Sequence, residues 1–125
     1  MKVSPRPPCG SSPSLLDTAA MRATSRLLLA QDAEPPSPQD LETLTLRLRG
    51  YMMLAIPVVE SAALTWPEGD VPRACALACI GEARMRLRLE PRNSTLTAGI
   101  RYAQRLARSV NALCDHYRTV GGEQR

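Results

Sequence analysis

The sequence predicts an all-α fold: a small antiparallel helical bundle of three to four helices with a disordered N-terminal tail. Three observations lead there. In the last segment, Ile100, Ala103, Ala107, Val110, Cys114 and Tyr117 recur at alternating spacings of three and four, and Arg101, Arg105 and Arg108 fall on the other side. Hydrophobic residues make up 44% of the chain but aromatics only 3%, so a core must be built from aliphatic and small side chains, which suits packed helices better than a β-sandwich. Short turns rich in proline and glycine (QDAEPPSP, WPEGD, PRNST) separate the periodic stretches, as antiparallel helices require.

Met1 to Ser14 is rich in Pro, Ser and Gly and is expected to be a disordered tail over 1–14. One bundle domain is expected over 15–120, with helices at about 15–30, 38–65, 71–89 and 96–118, and a frayed tail at 121–125. The first helix carries Leu15, Leu16, Ala19, Ala20, Ala23 and Leu27 on one side. Prolines in Gln31 to Pro38 then make a stiff linker. Ser37 can cap the second helix, with Pro38 in its first turn. Leu41, Leu44, Leu48, Tyr51, Met52, Ala55, Val59, Ala62 and Trp66 form its stripe, and Pro57 falls off the stripe, bending the helix without ending it. Leu46, Met53 and Leu64 lie at its outer edge.

Asp70 can cap the third helix, which Pro91 stops. Ala74, Ala78, Met85 and Leu89 lie on one flank and Ala76, Ile80, Ala83 and Leu87 on the other. A helix apolar on two flanks is expected at the centre, contacted from two sides. A large residue at Ala78 or Gly81 should then overpack the bundle. The fourth helix has Ser94, Thr95 or Thr97 as its cap, with Asn93-Ser94-Thr95 read as an entry turn, and Gly121 and Gly122 close it.

The net charge of +4 is mildly basic, and Lys2 is the only lysine among sixteen basic residues. That arginine excess fits a GC-rich genome as well as phosphate binding. No run reaches the roughly 18 apolar residues of a transmembrane helix, and no secretory leader is evident, so a cytoplasmic location with reduced cysteines is expected and no membrane partner.

Cys75 and Cys79 are one turn apart, with Glu82 and Arg86 continuing the line. With Cys114 they could make a thiolate metal site, although tight Cys-x-x-Cys pairs are lacking. Buried packing residues are the ordinary reading of such cysteines. His116 sits about 200° around the helix from Cys114, so one regular helix cannot aim both at a metal or make a Cys–His pair. No phosphate loop, nucleophile elbow or metalloprotease motif occurs, so neither catalysis nor a cofactor is supported. Arg101, Arg105 and Arg108 form a possible anion- or partner-binding face. Arg84 and Arg88, with Arg73 nearby, make a second basic line. Exposed aromatics for single-strand stacking are lacking.

The blocks LRGYMMLAIPVVE (48–60), VPRACALACIGEAR (71–84) and RYAQRLARSVNALCDHY (101–117) resemble an actinobacterial, Streptomyces-type family. Its members are small proteins of unknown function labelled as natural-product biosynthesis proteins. The resemblance departs at Tyr51, where the family more often carries His. It implies an association with secondary metabolism and no catalytic residues. The expected function is therefore a non-catalytic accessory or regulatory factor acting by contact with a protein partner or itself. A DNA-binding regulator using the arginine stripes is the alternative, and a small metal- or thiol-dependent protein the second.

Overall fold

Side chains cap three of the four helices, whereas Asp70, expected to cap the third, stands at its N-terminus without a side-chain cap bond. In the computed structural model, which describes residues 16–91 and 95–121, the elements are α1 (Thr18–Leu29), α2 (Pro38–Ala63), α3 (Val71–Arg88) and α4 (Leu96–Val120). The expected tail at 1–14, Leu15, the turn residues Asn93 and Ser94, and residues 122–125 lie outside the described residues. Asp17, Ser37 and Thr95 accept, each at 3.1 Å, from the backbone N–H three residues on, so of the three cap candidates before α4 it is Thr95 that caps. Gly69 turns the chain into α3 at φ 94°, a backbone conformation that a side chain would strain. Pro57 is exposed and α2 runs through it unbroken, since a carbonyl freed on the wet side can be met by water.

The helices run up-down-up-down. Arg22 meets Asp115, Ser25 meets Ala107 and Gln104 meets Leu28, so α1 and α4 are antiparallel. Arg49 bonds to Tyr102 near one end of α4 and Trp66 to Val120 at the other, so α2 and α4 run parallel across the diagonal. These two make the most extensive contact in the bundle, and α1 and α3 flank them on opposite sides without touching each other. The diagonal is short because Ala55, Ala63, Ala103 and Ala107, all fully buried, let the helices approach. Leu48, Met52, Val59, Leu106, Val110 and Leu113 fill the space between.

Two sequence expectations change. The first concerns α1, whose buried side is Met21, Thr24, Ser25 and Leu28, while Ala23 is exposed and Leu27 is 56% exposed. Two hydroxyls therefore point inward, and both are satisfied: Thr24 donates to Ala20 O at 3.1 Å and Ser25 to Ala107 O at 3.3 Å. The second concerns α3, which is an edge helix. Only Ala76, Ile80 and Ala83 are buried; Ala74, Ala78 and Gly81 are exposed, and Met85 and Leu89 are 49% and 61% exposed. A Cβ added at Gly81 would meet nothing within 4 Å, so overpacking there does not arise. The apolar character of the outer flank, which implied a second neighbour, faces solvent.

Candidate interaction faces

The polar groups between α2, α3 and α4 serve structure first. Arg49 donates through Nη1 to Leu87 O at 3.0 Å and to Tyr102 Oη at 2.7 Å; Tyr102 Oη donates to Arg86 O at 3.3 Å. Arg86 in turn donates to Arg105 O at 3.0 Å and Ser109 Oγ at 2.9 Å, and pairs with Glu82 at 3.0 Å. These guanidinium forks tie the C-terminal half of α3 to both diagonal helices, a task for which arginine's planar set of donors is suited. The second basic line predicted on α3 dissolves likewise. Arg73 donates to Trp66 O at 2.9 Å, and Arg84 pairs with Glu60 at 3.0 Å, which leaves Arg88 without an ionic partner among the described residues.

The cysteines are separated rather than convergent. Cys75 is exposed, Cys79 half-buried and Cys114 in the core, and among the described residues no group of three His, Cys, Asp or Glu side chains could hold a metal ion. His116 is partly exposed. Burial pushes the Cys79 thiol up to about 11, with nearby Glu82 adding to the rise, and burial also raises Cys114. Neither is a ready nucleophile. Iodoacetamide at neutral pH should therefore alkylate Cys75 in the folded protein and spare Cys114 until denaturant is added, as peptide mass mapping would show. Because the folded pKa of Cys79 lies above that of an unfolded thiol, this group favours the folded state below pH 9.0 and ceases to do so as pH rises toward about 11.

Two surfaces remain. On the outer face of α4, Arg101, Arg105 and Arg108 are all exposed, and none has an acidic partner among the described residues. The structure adds Arg26 of α1. It is exposed and likewise unpaired, and the antiparallel register sets it level with Arg108. Arg22, one turn earlier, is held by Asp115 at 2.6 Å.

The other surface is apolar. Leu46, Met53 and Leu64 on α2 are 64%, 57% and 51% exposed, and Val71, Met85 and Leu89 lie on the outer side of the neighbouring α3. Since Arg49 reaches Leu87 and Arg84 reaches Glu60, α2 and α3 are antiparallel, with Met53 roughly level with Met85 and Leu64 with Ala74. The two stripes border one shallow groove. At its end, a cleft of about 510 Å³ lies between the start of α2 and the start of α4, walled by Leu41, Leu46, Leu96 and Tyr102 with Arg49 and Glu42. Gly99 admits Leu41 to the floor, where a Cβ would come within 2.8 Å of Leu41 Cδ2. Leu54, about 100° around α2 from Met53, and Leu27 on α1 are exposed elsewhere, but most of the large exposed apolar residues gather on this side, as at a contact surface. Sequence reading found the α2 half of this face and misassigned the α3 half to the core.

Among the described residues, no helix is long and apolar enough to cross a membrane. Neither the curated proteins nor the solved structures include a match to this chain. Residues 19–122, which hold all four helices but the first residue of α1, match a family defined by sequence alone, and the chain belongs to that family of unknown function, DUF6415.

Proposed function

We propose that this is a non-catalytic accessory or regulatory protein that works by protein–protein contact through the apolar face of α2 and α3. The observation that carries the reading is the outward grouping of Leu46, Met53, Leu64, Val71, Met85 and Leu89 on two adjacent helices. Its support on the chemical side is that the titratable groups of the interior are engaged in helix-to-helix bonds, with the thiols pushed toward their neutral form. Natural-product biosynthesis is the setting we propose, on the resemblance of the three sequence blocks.

A photo-crosslinking residue at Met53 or Met85 tests the face directly. In cells, both positions should form adducts with a polypeptide, and the same residue at Ala112, on the outer side of α4, should not. Adducts equal at all three positions, or none, would remove the reading.

A second reading, binding of a nucleic-acid backbone, is favoured by one observation only: Arg26, Arg101, Arg105 and Arg108 are exposed together and unpaired among the described residues. Such contacts are strongly salt-dependent. On this reading random duplex DNA is retained at low salt and released at physiological salt, and replacing all four arginines by alanine abolishes retention. Equal retention by the variant would exclude it.

A further inference from the structure

The outer side of α3 has a pattern that matches itself when reversed. Val71, Ala74, Ala78, Gly81, Met85 and Leu89 fall within roughly 80° of arc on the side away from Ala76, Ile80 and Ala83, at the spacing of a helix–helix seam. Set two such helices antiparallel about a two-fold axis between positions 79 and 80. Met85 then lies opposite Ala74 of the second copy and Ala78 opposite Gly81, with Leu89 within one residue of the level of Val71. At the centre only small residues meet, which allows close approach, and outside it the long Met85 meets a small partner. Close approach at the centre is thus matched by room for Met85, and two larger apolar side chains meet only at the ends, where the seam can splay.

Charge follows the same axis. In an antiparallel pair, like flanks face each other. Arg88 and Asp70 share one flank of α3, and the two-fold sets Arg88 of one copy against Asp70 of the other. Within one chain both are unspent: Asp70 stands at the N-cap without a side-chain cap bond, and Arg88 is exposed with no ionic partner among the described residues. Gly81 carries the helix-interior penalty of glycine, with nothing packed on it inside the chain. Close approach of another backbone is a reason for glycine there.

The size fits too. The 18 residues of α3 span roughly 27 Å, and with α2 beside it the face is roughly 20 Å wide. That is on the order of 540 Å² in plan, before surface relief, close to the range of about 600–1,000 Å² per partner that stable interfaces bury. The axis also places α2 of each copy on the same side, so Met53 and Leu64 face the second copy's α2 instead of water.

We propose that the occupant of this face is a second copy of the chain, docked antiparallel through α3 about a two-fold axis. This rests on the contact reading above and names the partner. Light scattering coupled to size-exclusion chromatography, run on the full chain across the micromolar to submillimolar range, should give twice the 13.6 kDa chain mass. Ala78→Glu, at an exposed position, should give the chain mass while keeping the helical circular-dichroism spectrum. Arg88→Asp alone should weaken the dimer at least tenfold, and Arg88→Asp with Asp70→Arg should restore it, which no effect on folding would mimic. A monomer throughout the range overturns the proposal, as does a dimer indifferent to both sets of changes. A monomer whose Met53 and Met85 still crosslink to a different protein overturns the two-fold pairing and leaves the contact reading standing; a monomer with no crosslinks removes both.

Discussion

Leu106→Ala should cost about 2–5 kcal/mol of stability and leave a protein near its unfolding threshold at physiological temperature. Leu106 is fully buried on α4, the helix that touches the other three, in a core that also holds the fully buried Leu48, Met52 and Val110. The core around it is built mostly of aliphatic and small side chains, which sit close-packed and relax only in part when one is cut back. The lost methyl groups therefore leave a cavity as well as a transfer cost. Denaturant unfolding followed by circular dichroism reads the effect as a lower midpoint with an unchanged slope. A loss below 1 kcal/mol would mean that the diagonal helices close up around the gap.

Ala107→Phe should be destabilising by about 1–3 kcal/mol for the opposite reason. Ala107 is fully buried, and Ser25 of α1 donates to its carbonyl at 3.3 Å, so α1 rests on that turn of α4. A ring there has no void to enter. It must lift α1, which would expose Met21 and Leu28 and break the Ser25 bond. The expected readout is faster amide exchange across Thr18–Leu29, with the Trp66 contact at the far end of α2 unchanged. Fluorescence from Trp66, whose Nε1 donates to Val120 O at 3.1 Å, reports that second site. Ala78→Phe, which the two-flanked pattern of α3 marked for overpacking, should leave the isolated chain's stability within about 0.5 kcal/mol, because Ala78 is exposed.

The difference between these two alanines shows what periodicity can convey. It identifies which residues share a side of a helix, and on α2 and α4, each with one broad stripe, that identifies the buried set. On α3 both flanks are apolar. Nothing in the spacing states which one the chain itself covers and which one it leaves for something else. The α1 side was misread for a different reason: Thr24 and Ser25 count as polar by type, but their hydroxyls are satisfied by nearby carbonyls and cost little to bury. The arginines were legible as a stripe on α4, where i, i+4 and i+7 suffice. Their pairing was not, since the partner of Arg84 is Glu60, 24 residues away, and that of Arg22 is Asp115, 93 residues away. The match to a family of unknown function over 19–122 takes in the three blocks, which run from 48 to 117, and says nothing of the origin or role their resemblance implied.

The short α2–α4 diagonal bears on the order in which the chain emerges during synthesis. The helix that touches all three others is made after them, and the bonds that seat α1 on it join residues up to 93 apart. Until Leu96–Val120 has been translated, the apolar sides of α1 and α2 have only each other and α3, and α1 meets α2 over only a small area. A nascent chain halted in the turn after α3 therefore holds helices without a completed interior, and folding to the native bundle is a release event, coupled to completion of the final helix. Slow sites of decoding or premature termination within Leu96–Val120 would expose Leu48, Met52 and Val59 to chaperones and proteases, so the stretch of message that encodes α4 is where a pause would cost the chain most.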